Sequence, residues 1–202
     1  IDKAIVAFEE AIAINDHHAP TYNNLGNIYL NKEAYETAVR FYAKALKLKP
    51  LMAQAHNNFA LCHYKLGDHD VAEAHYKKAI LNDAKIFEFY SNLGSLYAAQ
   101  GKFDVAQEMY IKSLEINKEN AKAYWSSFRV QLYSHRYQDA LEIADLAIMS
   151  QALADHELCS FLVGKAIVFL LFEHFEEAKQ AIEQSEKIYQ FEHISSHMAN
   201  MT

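Results

Sequence analysis

The chain has 202 residues, 51% of them hydrophobic and 22% charged, with only 5 Gly and 2 Pro. That is ample apolar material for a core, with few breakers to interrupt helices. The formal net charge of −7 argues against nucleic acid as a partner, because such binders usually carry a basic stripe. No apolar run approaches the roughly 18 residues of a membrane span. The richest stretch, Ala166 to Phe172, reads as a buried helix segment. Cys62 and Cys159 are far apart and share no metal-ligand spacing, so neither a disulfide framework nor a zinc site is expected. Two unpaired cysteines favour a reducing compartment, and the cytoplasm is the expected location. The sequence starts at Ile1 without an initiator Met or a signal sequence, as a piece of a longer protein would.

Residues 1–14 carry Ala4, Phe8, Ala11 and Ile12 on one helical face, which predicts a lone helix. In residues 19–52, Tyr22, Leu25, Gly26 and Tyr29 mark one helix face. After a turn at Lys32 and Glu33, Tyr35, Ala38, Tyr42, Ala45 and Leu46 mark a second, and Pro50 closes the unit. The pattern returns in residues 53–86 through His56, Phe59, Ala60, His63, Ala72, Tyr76, Ala79 and Ile80. It returns again in 87–120 through Tyr90, Leu93, Gly94, Tyr97, Ala106, Tyr110 and Leu114. Gly67 and Gly101 fall in the turns, where a left-handed helix end suits glycine. Residues 121–154 keep Tyr124, Tyr137, Ala140, Ala147 and Ile148 but place Ser127-Phe128 where the other units have a large residue followed by a small one. A Phe at a close helix crossing predicts altered local geometry. The last unit, about 155–192, has Phe175 and Ala178 in register, 38 rather than 34 residues after Tyr137 and Ala140. The four extra residues are expected to lengthen a connection or a helix end around Met149 to Glu157. In the tail, 193–202, Ser196 to Thr202 reads as a vector scar or, equally, Glu192 to Thr202 as the start of another helix.

The 34-residue period, with Leu25, Phe59, Leu93 and Ser127 in one register and Ala38, Ala72, Ala106 and Ala140 in another, is that of a helix–turn–helix repeat. An aromatic, Leu-Gly and Tyr in the first helix, then Ala, an aromatic and Ala in the second, with a closing Pro, resembles the tetratricopeptide repeat family. The resemblance is fullest in units 19–52, 53–86 and 87–120. It implies an all-α, right-handed superhelical solenoid of about five repeats, forming a single domain over 1–202, with the first helices lining a concave groove.

The groove residues are then those off the face of Tyr22, Leu25 and Tyr29. They are Asn23, Asn24, Asn27, Leu30 and Asn31, then Gln54, Asn57, Asn58, Leu61 and Lys65, then Glu88, Ser91, Asn92, Ser95 and Ala99, and finally Lys122, Trp125, Ser126, Arg129, Leu132 and Tyr133. Asn24, Asn58 and Asn92 recur every 34 residues as a ladder expected to face solvent. An Asn side chain both donates and accepts, so it can pair with a peptide backbone of any sequence; the same residues also serve solubility and helix packing. Trp125 beside Arg129 and Lys122 suits a partner side chain or carboxylate, or else fills the crossing at Phe128. The carboxylate clamp of the family's chaperone-binding members needs Lys, Lys and Arg where Asn23, Glu88 and Asn92 stand, so such a clamp is not expected.

His56, His63 and His69 occupy aromatic positions and read as packing residues. His193 and His197 stand at i and i+4 with no third ligand in view. No nucleophile motif or phosphate loop appears, so no catalytic residue, cofactor or metal is expected. The sequence points to a non-catalytic scaffold that holds a protein or extended peptide segment, without nucleic acid or membrane. Two alternatives remain: the substrate-recruiting arm of a larger enzyme such as a glycosyltransferase, and a scaffold that self-associates through exposed array ends.

Overall fold

The computed structural model describes residues 2–150 and 153–199, with side chains described for 3–150 and 153–189. Eleven helices and no strand form among the described residues. The chain divides into two compact units, residues 1–100 and 101–202.

The first unit holds α1 (Asp2–Ile14), α2 (Ala19–Asn31), α3 (Tyr35–Leu48), α4 (Ala53–Leu66), α5 (His69–Asn82) and α6 (Phe87–Ala99). Each helix packs on the next in sequence, so the contacts are local, as in a stacked repeat. The packing alternates small and large residues. A Cβ added at Gly26 in α2 would lie 2.5 Å from the ring of Tyr42 in α3, so only glycine fits there. Tyr42, Tyr76, Ala38, Ala45, Ala72 and Ala79 are fully buried. The turns between paired helices use the left-handed region. Glu33 has φ 57°, and Ala34 N–H donates to Tyr29 C=O at 2.9 Å; Gly67 has φ 87°, and Asp68 N–H donates to His63 C=O at 2.8 Å. These bonds satisfy carbonyls that a helix end leaves open.

The second unit holds α7 (Phe103–Ile116), α8 (Ala121–Tyr133), α9 (Tyr137–Met149), α10 (Asp155–Leu171) and α11 (Phe175–Ala199). Asn120 caps α8: its side chain accepts from Ala123 N–H at 3.2 Å and donates to Ser113 Oγ at 3.0 Å. His135 (φ 57°) and Glu173 (φ 59°) take the left-handed turn positions without being glycine.

The altered crossing in this unit is an exchange of sizes. Phe128 stands where the earlier units have Gly26, Ala60 and Gly94, and Ala144 stands where they have Tyr42, Tyr76 and Tyr110. Phe128 and Ala144 are both buried in one core with Phe161 and Val168. The Phe128 ring also reaches Gly164, where an added Cβ would lie 2.7 Å from it. The four extra residues enter the start of α10, which has 17 residues where α2, α6 and α8 have 13.

The expectation that Ala166 to Phe172 is buried needs correction. Ala166 and Val168 are buried, whereas Ile167, Leu170, Leu171 and Phe172 are about half exposed. At 3.6 residues per turn, two buried faces still leave a third face of α10 uncovered. Among the described residues, no helix is long and apolar enough to cross a membrane.

Candidate partner-binding faces

In the first unit, one face of α2, α4 and α6 carries a chain of side-chain amides. Tyr42 Oη donates to Asn27 Oδ1 at 2.8 Å, and Asn58 Nδ2 donates to the same oxygen at 2.9 Å. Asn58 Oδ1 accepts from Asn57 Nδ2 at 2.9 Å and from Gln54 Nε2 at 3.2 Å. Asn92 Nδ2 in α6 then donates to Asn57 Oδ1 at 3.0 Å. Four asparagines from three helices are thus tied into one network.

The sequence expected Asn24, Asn58 and Asn92 to face solvent alike, and the arrangement differs. Asn24 is exposed, Asn92 is half-buried and Asn58 is buried, as are Asn23 and Asn57. For Asn57 and Asn58 the cause is the side-chain bonding of the network, which satisfies their amides internally and so permits burial. Asn23 Oδ1 alone among these amides is buried without a partner. Asn24 and Asn31 are exposed, and their side chains have no partner among the described residues. The outer atoms of the network, Asn27 Nδ2 and Asn92 Oδ1, also remain uncommitted. Ser95 is half-buried and donates to Ser91 C=O at 2.9 Å, while Lys65 and Glu88 are exposed. The sequence missed Tyr42 as the anchor of the network, because its ring sits in the core and only its hydroxyl reaches the face. In the next repeat Leu61 stands where Asn27 stands, and the buried Tyr76 hydroxyl there has no partner.

Histidines pack the same unit. His56 Nε2 donates to Pro50 C=O at 2.9 Å, so its Nδ1 accepts from His75 Nδ1–H at 3.1 Å. The His75 ring stacks on Phe59 at 4.4 Å. Burial, then neighbouring His56 and Lys78, lowers the His75 pKa to about 4, and burial also lowers that of His56. His63 pairs with Asp68 at 2.9 Å, and the ring of His69 lies against Tyr64 at 5.8 Å. Burial pushes the Cys62 thiol up to about 12, which leaves it unreactive. The side chains of His193 and His197 lie outside the described ones.

In the second unit, Trp125 packs against the core and also borders open space. It stacks on Phe128 at 5.5 Å and meets Phe161 edge-on at 5.2 Å, yet it also lines a cavity of about 460 Å3 between α8 and α10. Phe128, Arg129 and Leu132 continue the α8 wall; Ser160, Val163, Gly164 and Ile167 form much of the other. A smaller cavity of about 270 Å3 beside it is lined by Lys122, Trp125 and Glu157. Arg129 and Lys122 are exposed. Arg129 donates to Tyr133 Oη at 3.2 Å and lies 5.7 Å from the centre of that ring. The α10 wall was not found in the sequence, because the four-residue shift hides which of its positions face outward. The signal present was an apolar helix with a second hydrophobic stripe at Val163, Ile167 and Leu170.

Tetratricopeptide repeat profiles match residues 19–85 and 87–120. Among solved structures, MamA is 18% identical with a TM-score of 0.73, over 83% of this chain and 95% of that one. YrrB, described as a TPR protein with an unusual peptide-binding site, is 19% identical with a TM-score of 0.70, over 97% and 98% of the two chains. The pilF protein of Pseudomonas aeruginosa is 20% identical with a TM-score of 0.71, over 83% and 76%. At such identities the likeness concerns the fold alone. No curated protein matches the sequence at significance.

Proposed function

Because the chain belongs to the tetratricopeptide repeat family, whose units serve as interaction modules, we propose that it is a non-catalytic scaffold holding an extended segment of a partner protein on the first-helix face of residues 1–100. The observation that carries this reading is the amide network of Asn27, Asn57, Asn58 and Asn92. Amides locked to one another need no further ordering when a ligand arrives, so little conformational entropy is lost on binding. The network leaves Asn27 Nδ2 and Asn92 Oδ1 uncommitted, beside the exposed Asn24 and Asn31. Together they present donors and acceptors to a peptide backbone, which carries one of each per residue. YrrB, a peptide-binding protein of the same fold, makes this use of the face reasonable.

The test is selection of binders from a random peptide library, followed by calorimetry against the parent and Asn24→Ala/Asn31→Ala. Both side chains are exposed, so stability should hold. Losing two hydrogen bonds of about 1 kcal/mol each should weaken binding about 30-fold. Equal affinity for the two proteins would refute the role of the face.

A further inference from the structure

The two units present different chemistry on their first helices. In residues 1–100 the face is rich in amides; in residues 101–202 it is apolar. There, Trp125 and Leu132 on α8 and Val163, Ile167 and Leu170 on α10 border or continue a single cavity, and the three α10 residues are about half exposed. The contacts Trp125–Phe161 and Phe128–Gly164 each join residues 36 apart, so α8 and α10 run in the same direction. The cavity therefore follows about two turns of both helices, roughly 10 Å.

We infer that this cavity is the seat of a short, acidic, amphipathic helix of a partner protein. An extended peptide is disfavoured by its own backbone. Its N–H and C=O groups would lie against Trp125, Leu132, Val163 and Ile167 without partners, at a cost of roughly 1–3 kcal/mol for each group. The polar lining is too sparse to remedy this: Ser160 Oγ has already spent its donor on His156 C=O at 2.9 Å, Cys159 Sγ lies 3.6 Å from Ser185 C=O, and Arg129 offers donors but no acceptor. A helix satisfies its backbone internally and presents side chains at i, i+4 and i+7, the spacing at which Trp125, Arg129 and Leu132, and Val163, Ile167 and Leu170, project from the walls.

The charge of the occupant follows from the rim. In a chain of net charge −7, the exposed cations beside Trp125 are Lys122 and Arg129, and neither is paired with a carboxylate among the described residues. The one carboxylate lining the smaller cavity, Glu157, accepts Ala154 N–H at 2.9 Å and is held at the start of α10. Carboxylates on the partner helix thus meet cations with donors still to offer.

This inference rests on the interaction-scaffold reading but uses a separate unit, so the two can fail separately. The probe is a synthetic peptide of about 16 residues, about 24 Å as a helix. It carries Leu at i, i+4, i+7 and i+11, Glu and Ala elsewhere, and no Trp. Trp125 is the only Trp of the chain, so its emission reports occupancy. Saturable binding, a shift of Trp125 emission and a gain of peptide helicity are expected. Ile167→Glu and Arg129→Glu, both at exposed positions, should each weaken binding at least about tenfold, and a Lys-for-Glu peptide should restore affinity to Arg129→Glu. Asn24→Ala/Asn31→Ala should leave helix binding unchanged. The inference is overturned if a central proline, which prevents the helix, leaves affinity unaltered, if Ile167→Glu binds like the parent, or if no binding occurs at millimolar peptide. Failure here, with library peptides still requiring Asn24 and Asn31, would remove the helix site and leave the scaffold reading standing.

Discussion

The exchange of Phe128 and Ala144 for the small–Tyr pair of the other repeats makes a prediction whose sign depends on context. Phe128 is 1% exposed. Truncating a buried Phe costs about 3–5 kcal/mol, and glycine in a helix adds about 1 kcal/mol, so Phe128→Gly should cost about 4–6 kcal/mol. Ala144→Tyr alone forces a ring into a filled core and should cost about 1–3 kcal/mol or more. Combining the two recreates the arrangement of Gly26 with Tyr42, and the double variant should lose no more than about 3 kcal/mol. The coupling energy should then exceed about 2 kcal/mol. Gly164 supplies an internal check, because its Cβ position lies 2.7 Å from the Phe128 ring. Gly164→Ala should destabilise the parent but stabilise the double variant, by filling the space the ring vacated. Urea unfolding followed by circular dichroism, with Trp125 emission as the local signal, measures each value. Strict additivity of Phe128→Gly and Ala144→Tyr would refute the exchange as the reason Phe128 is tolerated.

Three further outcomes follow from the first unit. Tyr42→Phe removes a hydroxyl bonded to Asn27 and should cost about 1 kcal/mol, whereas Tyr76→Phe removes a buried hydroxyl with no partner and should be neutral or stabilising; equal losses in denaturant titrations would contradict this. Asn58→Ala leaves the amides of Asn57 and Gln54 without their acceptor and should cost about 1–3 kcal/mol, while Asn24→Ala should stay within about 0.5 kcal/mol. His75 has a folded pKa near 4 against an ordinary 6.5, so the unfolded chain takes up its proton first. Stability should therefore fall as pH drops through 6.5 and level off below 4. Discounted for partial exposure, the loss at pH 5 should be about 1 kcal/mol, read as a lower Tm in the parent than at pH 7 and a smaller difference in His75→Phe.

The repeat was legible because its signals are local. Leu25, Gly26, Ala38 and Tyr42 recur at fixed spacing, since each repeat buries the same positions against the same neighbours. Harder to read were features that depend on residues from different helices at once. Asn58 looks like any exposed groove polar residue until Asn27, 31 residues earlier and on another helix, is brought to it. Phe128 looks disruptive until Ala144, 16 residues on, is seen to lack the Tyr of its counterparts. The outward face of α10 escaped notice because four added residues break the register that identified the groove in α2, α4, α6 and α8. Glu33, His135 and Glu173 adopt a left-handed conformation that their side chains do not advertise.

The central claim is that a partner segment lies on the first-helix face of residues 1–100. Side-chain amide resonances of asparagine, followed by NMR as a library-selected peptide is titrated in, test it most directly. The account predicts saturable shifts at Asn24, Asn27, Asn31 and Asn92, with cross-peaks to the peptide backbone. Shifts confined to residues of α3 and α5, with those four amides unmoved, would contradict it.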